Sequence, residues 1–118
     1  MPAPVVHFEL RLHNPDATRT FFGDLFGWSY GDGGLPGYTY VNPGTEGAIP
    51  GGIGPVQGGE PMSVFFVGVA NVDETLRQAE QLGGRIVQPA TSVPGVTFGV
   101  LADPQGQVVG VASNDEAG

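Results

Sequence analysis

The chain has 118 residues, enough for one domain with a substantial core, and 40% of them are hydrophobic. It has 4 basic residues, all Arg, and 12 Asp+Glu, so the formal net charge is −8. The sequence therefore lacks the clustered cations that binding to nucleic acid or to an anionic membrane requires. The sequence contains no Cys, which excludes disulfides, thiolate metal sites and Cys nucleophiles. It shows no secretory signal and no apolar run of about 18 residues, so we expect a cytoplasmic protein.

The stretch VVHFELRLHNPD, residues 5–16, begins with a strand that has two unlike faces. Apolar and polar residues alternate through it with the period of a β-strand. The apolar positions are Val6, Phe8, Leu10 and Leu12, and the polar ones are His7, Glu9, Arg11 and His13. His7 and Glu9 therefore point to the same side of the strand, which faces water, a metal ion or a ligand cavity.

A helix is predicted to follow this strand. Asn14 can cap the first turn with its side-chain oxygen, Pro15 suits the opening position, and Gly27 suits the left-handed turn that ends a helix. The positions expected to be buried are Ala17, Phe21, Phe22 and Leu25. Turn signals then separate three strand candidates, at 28–30, 37–41 and 47–53.

The second half of the chain repeats the pattern of the first. Residues 61–84 resemble residues 4–27, with Asn71 as the second helix cap, Glu74 placed as in a capping box and Gly84 as the end. The expected buried positions are Val72, Leu76, Ala79 and Leu82, and the strand candidates are 85–89, 96–102 and 107–113. The sequence therefore predicts an α+β protein with two βαβββ modules, at about 4–53 and 62–113, a linker at 54–61 and a frayed acidic tail at 114–118.

Several segments in this order resemble the vicinal oxygen chelate superfamily, which includes glyoxalase I, extradiol dioxygenases, fosfomycin-resistance enzymes and bleomycin-resistance proteins. They are VVHFEL, FFGDLFGW, GGI, VDETLRQAEQLGGRIV and VLADPQGQVVGV, and the resemblance covers about residues 4–113. It implies the glyoxalase/bleomycin-resistance fold, in which curled mixed sheets form a cup with the helices outside. It also implies a single domain over residues 1–118 that pairs as a homodimer.

The resemblance implies a divalent metal such as Zn, Ni, Mn or Fe, held in the cup by four His, Glu or Gln ligands. His7 fits the first ligand position, seven residues before the helix cap. The other three positions correspond to Val64, Gly110 and either Gly51 or Gly52, none of which has a donor atom. We therefore expect neither an intact family metal site nor a cofactor. The alternative is a rearranged metal site in which His7 and Glu9 are joined by Asp32 or Glu46.

The cup predicted from this resemblance has one polar and one apolar wall. Its candidate ligand-binding residues are His7, Glu9, Trp28, Tyr38, Tyr40, Val64, Phe66, Phe98 and Gly110, with Tyr30 as a further lining residue. Such a lining suits a flat aromatic ligand, and Glu9 could attract a cationic group. In the alternative interpretation Trp28 belongs to the core or a dimer interface, His7 is hydrogen-bonded to Glu9 or a hydroxyl, and His13 is solvated.

Three functions remain open from the sequence. We expect a small-molecule-binding protein of the glyoxalase/bleomycin-resistance type without the family metal site. The alternative is a divalent-metal-dependent lyase or dioxygenase, and the only catalytic candidates are His7 and Glu9, which could also abstract a proton without a metal. The third possibility is a purely structural role.

Overall fold

A computed structural model describes residues 2–56 and 58–114 and contains two helices and eight strands in that part of the chain. In chain order they are β1 (Val5–Leu12), α1 (Pro15–Phe26), β2 (Tyr30–Asp32), β3 (Thr39–Val41), β4 (Gly51–Pro55), β5 (Met62–Gly68), α2 (Val72–Gln81), β6 (Arg85–Val93), β7 (Val96–Ala102) and β8 (Val108–Asn114). The prediction for the tail lies, apart from Asn114, outside the described residues.

The first compact unit comprises His7–Val64. Within it, β1 pairs in parallel with β4, from Phe8 opposite Gly51 to Leu12 opposite Pro55. β3 then pairs antiparallel with both β4 and β2, which gives the strand order β1-β4-β3-β2.

The second unit holds the described residues up to Val6 and from Phe65 onward. Here β5 is parallel to β8, and β7 is antiparallel to both β8 and β6, so the strand order is β5-β8-β7-β6. This order repeats that of the first unit, element for element. The predicted α+β class and the two βαβββ repeats are therefore confirmed, whereas the prediction that the chain is a single domain stays a prediction.

Both predicted helix caps are confirmed. The Asn14 side chain accepts a hydrogen bond from the Ala17 N–H at 3.2 Å, and Asn71 accepts one from the Glu74 N–H at 3.0 Å. α1 ends at Gly27, whose φ of 74° is the left-handed conformation that glycine adopts without strain. α2 ends earlier than predicted, at Gln81.

α2 buries the face that its spacing predicts. Val72 and Leu76 are each 2% exposed and form a core with Val111. Leu82, in contrast, is 75% exposed, because it caps the helix instead of continuing its buried stripe. The prediction is therefore correct for the helix itself and wrong at its end.

The face predicted for α1 is wrong. Phe21 and Leu25 are 58% and 59% exposed, and Ala17 is exposed as well. Phe22 is half-buried, with its ring centroid 5.4 Å from that of Trp28. This contact fixes the rotation of the helix, so that the stripe through positions 17, 21 and 25 faces outward.

Strand boundaries in the first unit also differ from the prediction. β2 begins at Tyr30 instead of residue 28, and β4 begins at Gly51 instead of residue 47. The segment before β4 is a turn, in which the Ala48 N–H donates to the Thr45 carbonyl at 3.2 Å and Gly47 has a φ of 88°. Neither described helix, at 12 and 10 residues, is long enough to cross a membrane.

Candidate functional site

The polar side chains of β1 share one face of the first unit with glycines of the neighbouring strand. In the parallel pairing of β1 with β4, Glu9 lies opposite Gly52 and Arg11 lies opposite Gly54. His7 has the same parity as Glu9 and projects to the same side. We call this surface the polar face.

Tyr38 lies across these glycines. A Cβ built on Gly52 would overlap the Tyr38 hydroxyl, and one built on Gly54 would lie 3.0 Å from the Tyr38 ring. A Cβ on Gly51 would instead overlap the ring of Phe8, on the opposite face. Of the two glycines, it is therefore Gly52 that lies beside Glu9 on the polar face.

The side chains of the polar face form one hydrogen-bonded chain. The Tyr38 hydroxyl donates to Glu9 Oε2 at 3.1 Å, and its oxygen lies 3.0 Å from His7 Nε2. Since the hydroxyl proton is used on Glu9, the network assigns the proton of this second bond to His7 Nε2. Arg11 Nε donates to Glu9 Oε1 at 2.7 Å. His7 is thus bound to a neighbouring hydroxyl, one of the two partners that the sequence analysis proposed.

This network sets the charge states of its members. Burial opposes ionisation of Glu9, but the His7 side chain, whose Nε2 lies 3.8 Å from Glu9 Oε2, and the charge of Arg11 outweigh it and lower the pKa of Glu9 below its ordinary value. Burial, the charge of Glu9 and the hydrogen bond to it raise the pKa of Tyr38 above its ordinary value. At neutral pH the face therefore contains a carboxylate, a guanidinium and a neutral phenol.

The residues at the family's metal positions do not fit a divalent ion. The Nε2 atom of His7 is engaged with Tyr38, and the Tyr38 hydroxyl closes the space at Gly52. No buried side-chain N or O atom in residues 2–56 and 58–114 lacks a hydrogen-bond partner, so none is left for an ion to satisfy. A lone engaged imidazole does not hold a divalent metal at useful affinity.

The rearranged metal site fits no better. Asp32 Oδ1 accepts a hydrogen bond from the Gly34 N–H at 2.8 Å, which ties this carboxylate to its own turn. Glu46 is exposed. Within the described part of the chain, no three His, Cys, Asp or Glu side chains come together as ligands.

The second unit carries the apolar candidates. Phe66 lies opposite Gly110 in the β5–β8 pairing, and a Cβ on Gly110 would overlap its ring. The ring of Phe98 meets that of Phe66 edge-on, with centroids 6.3 Å apart. Val64, two positions before Phe66 on β5 and the last residue of the first unit, is 4% exposed. The space beside Gly110 is therefore filled by the aromatic ring of Phe66 and is not free for a ligand.

The aromatic candidates of the first unit are divided between its two faces. Tyr40 lies opposite Gly52 and shares the polar face with Tyr38. Trp28 contacts Phe8 at a ring-centroid distance of 5.6 Å, on the α1 side of the sheet. Trp28, a predicted lining residue of the cup, thus packs on the face opposite to His7, because adjacent strand residues point to opposite faces. The Trp28 side chain is half-buried in this position.

Tyr30, the further lining candidate, also lies on the α1 side. Its hydroxyl donates to the Arg19 carbonyl at 2.9 Å, and Arg19 Nη1 donates to Thr39 Oγ1 at 3.0 Å. With Trp28 and Asp24 these residues line a groove of about 670 Å³ between α1 and β2. Sequence reasoning missed this groove, because its residues come from elements whose boundaries and rotation it placed wrongly.

Sequence reasoning also missed the part played by Arg11. The available signal was its spacing, since Arg11 is two residues after Glu9 and therefore on the same face of the strand. The distance of 2.7 Å between Arg11 Nε and Glu9 Oε1 shows that the carboxylate is already paired. His13 is exposed, in agreement with its expected solvated position.

Comparison with known proteins places this arrangement in a family. The sequence profile of the glyoxalase-like domain matches residues 7–112. The chain is 26% identical over 111 residues to "Putative glyoxylase CFP32" of Mycobacterium tuberculosis and of Mycobacterium bovis, which covers 87% of this chain and 42% of theirs. The chain thus spans less than half the length of these curated relatives.

Solved structures show the same fold. A glyoxalase/bleomycin resistance protein/dioxygenase superfamily member from Vibrio splendidus 12B01 matches with a TM-score of 0.64 and 14% identity, over 96% of this chain and 100% of that one. A methylmalonyl-CoA epimerase from Streptomyces coelicolor, in complex with 2-nitronate-propionyl-CoA, matches with a TM-score of 0.64 and 17% identity, over 98% and 97%. Because the profile match extends over nearly all the described residues, the chain belongs to the glyoxalase-like domain family.

Proposed function

We propose that this protein binds a small, planar organic molecule against the polar face, and that it does so without the divalent metal of the family's enzymes. One observation carries the proposal. The Tyr38 hydroxyl is bonded to both His7 and Glu9 and lies over Gly52, so the side chains that could have served a metal satisfy one another. What remains is a polar surface flanked by the aromatic rings of Tyr38 and Tyr40.

The comparisons support a ligand of this kind at the level of the fold. The structure from S. coelicolor holds 2-nitronate-propionyl-CoA. The fold is therefore able to hold organic ligands, and the residues of this chain must decide which ligand it accepts.

Binding is favoured over proton abstraction by the charge states of the network. A general base is most effective when its pKa lies near the working pH. The pKa of Glu9 is instead held below its ordinary value, and the pKa of Tyr38 is raised, so neither group exchanges protons readily at neutral pH. For this reason we do not propose a metal-free lyase, and a metal-dependent one has no fitting ligand set.

The test combines metal analysis with ligand binding. The protein is purified from medium supplemented with Zn, Ni, Mn and Fe, and its metal content is measured by elemental analysis. Thermal shift is then recorded with 1-naphthoate, 1-naphthamide and 1-naphthylmethylammonium, before and after treatment with EDTA. A ligand at about 100-fold over its Kd should stabilise the protein by about 2.7 kcal/mol.

We expect less than stoichiometric metal and a thermal shift that EDTA does not change. The matched control is Arg77→Gln on the exposed side of α2, where Arg77 pairs only with Glu74 among the described residues, and this variant should bind as the wild type does. Stoichiometric metal that His7→Ala removes, or the absence of any shift with all three probes, would overturn the proposal.

The proposal extends to a homodimer, supported by the outward stripe of α1. Phe21, Leu25 and Phe26 are 57–59% exposed and lie close together on one helix. Exposed apolar patches of this kind often mark contacts between proteins. Sedimentation equilibrium should give twice the chain mass for the wild type, and Leu25→Glu should shift the protein toward the monomer. A wild-type protein that sediments as a monomer would contradict the proposed homodimer. The cytoplasmic location stays a prediction from the sequence.

A further inference from the structure

We infer that the ligand carries a carboxylate and that Arg11 binds it. This inference rests on the proposed function and names the chemistry of its ligand. The polar face keeps some hydrogen-bonding groups free after its internal network is formed, and these groups determine which ligand it can bind.

Tyr38 and Glu9, at the centre of the network, have no N–H or O–H group left to donate to a ligand. The single O–H of Tyr38 is used on Glu9, and its oxygen already accepts from His7. Glu9 receives Tyr38 on Oε2 and Arg11 on Oε1. An ionised carboxylate has only acceptors, so a ligand that approaches these two residues meets no N–H or O–H.

Arg11 is different, because most of its donors are unused. A guanidinium has five N–H groups, of which the Nε–H is bonded to Glu9. The N–H groups of its two Nη atoms make no hydrogen bond to any residue in the described ranges 2–56 and 58–114. The Arg11 side chain is 21% exposed, so these donors are open to a ligand. Paired N–H groups in this planar arrangement match the two oxygens of a carboxylate.

The same geometry disfavours the cationic ligand that the sequence suggested. Glu9 would have attracted a cation, but Arg11 lies 2.7 Å from it and balances its charge. The net charge of −8 opposes an anion at long range, yet charges farther away than about 8 Å are screened at physiological salt. The direct contact with Arg11 therefore determines the charge of the ligand that is preferred. Glu9 acts as a positioning residue, because it holds the guanidinium of Arg11 through the Nε atom.

The test uses three probes that share one ring and differ in charge: 1-naphthoate, 1-naphthamide and 1-naphthylmethylammonium. Calorimetry should rank the naphthoate first for the wild type. Arg11→Gln should weaken naphthoate binding by about 10-fold or more, since a hydrogen bond to a charged group is lost, while naphthamide binding changes by less than about threefold. Arg11→Lys keeps the charge but not the planar fork and should fall between the two.

Each outcome decides the question. Equal binding of the three probes, a preference for the ammonium, or unchanged naphthoate binding in both Arg11 variants would overturn the inference and leave the proposed function standing. Failure of all three probes to bind would instead overturn the proposed function, and this inference with it. If Arg11→Gln does not fold, as judged by circular dichroism, Arg11→Lys together with the salt dependence of naphthoate binding gives the answer.

Discussion

The hydroxyl of Tyr38 lies where the side chain of any larger residue at Gly52 would begin. The second unit repeats this relationship, because the ring of Phe66 lies where a side chain at Gly110 would begin. Both glycines stand at positions where the family's enzymes are expected to carry metal ligands. In each unit an aromatic side chain thus occupies the space beside one of these glycines.

The first prediction concerns the pairing of Gly52 with Tyr38. Gly52→Ala should lower the free energy of unfolding by about 1–3 kcal/mol, because the added methyl displaces the Tyr38 hydroxyl. In a Tyr38→Ala background the same change should cost less than about 0.5 kcal/mol, since the overlap is gone. Urea denaturation of the four proteins in this double-mutant cycle measures the coupling.

The control for this cycle is Gly31→Ala. Gly31 lies on β2, its φ is not positive, and a Cβ there would meet the Tyr40 ring at an ordinary 3.8 Å. This substitution should be neutral or stabilise the protein by up to about 1 kcal/mol. Additive effects of Gly52→Ala and Tyr38→Ala would show that the ring does not occupy the glycine's space.

The second prediction isolates the Tyr38 hydroxyl. Tyr38→Phe removes one hydrogen-bond partner from both His7 and Glu9, so the free energy of unfolding should fall by about 1–3 kcal/mol. Tyr40→Phe is the matched control, because the Tyr40 hydroxyl makes no hydrogen bond within the described ranges. Its effect should stay within about 0.5 kcal/mol. Equal losses in the two variants would contradict the network.

The third prediction is a pH dependence of stability that originates in Glu9. Its folded-state pKa lies below the ordinary 4.5, so the folded protein keeps the charge at a pH where the unfolded chain has already bound a proton. The stabilisation by Glu9 is therefore complete above that ordinary value and is lost as the pH falls through the lower folded value. Glu9→Gln should cost about 1–3 kcal/mol at neutral pH, and this difference should shrink toward about pH 3.

Urea denaturation of wild type and Glu9→Gln at several values between about pH 7 and about pH 3 measures this dependence. Glu74→Gln serves as the control, because that carboxylate pairs with Arg77 at the surface and is 68% exposed. A difference between wild type and Glu9→Gln that stays constant, or grows, on acidification would contradict the assigned direction of the Glu9 pKa.

The fourth prediction compares the two helices. Leu76→Ala should cost about 2–5 kcal/mol, because Leu76 is 2% exposed and packs in the core with Val72 and Val111. Leu25→Ala, on the outward stripe of α1, should cost less than about 1 kcal/mol in the monomer. Thermal or urea denaturation at low protein concentration tests both. A large loss for Leu25→Ala under those conditions would show that α1 buries the face that its sequence predicts.

Local signals in the sequence were sufficient for the elements and their repeat. Asn14 and Asn71 mark the helix starts because their side chains bond to backbone N–H groups three residues on, which depends on neighbours alone. The alternation in β1 likewise places His7 and Glu9 on one face without any distant partner. These predictions were confirmed, as was the family to which the resemblance pointed.

The partners of those side chains were decided only by the tertiary structure. Tyr38 is separated from His7 by 31 residues, and the pairing of β1 with β4 and of β4 with β3 brings the two together. The rotation of α1 is set in the same way, by the contact of Phe22 with Trp28, and so its apolar stripe turned outward. The sequence alone thus determined which residues carry polar groups and which side of β1 they take. Long-range strand pairing decided that these groups bond to one another and that an aromatic ring fills the space beside them.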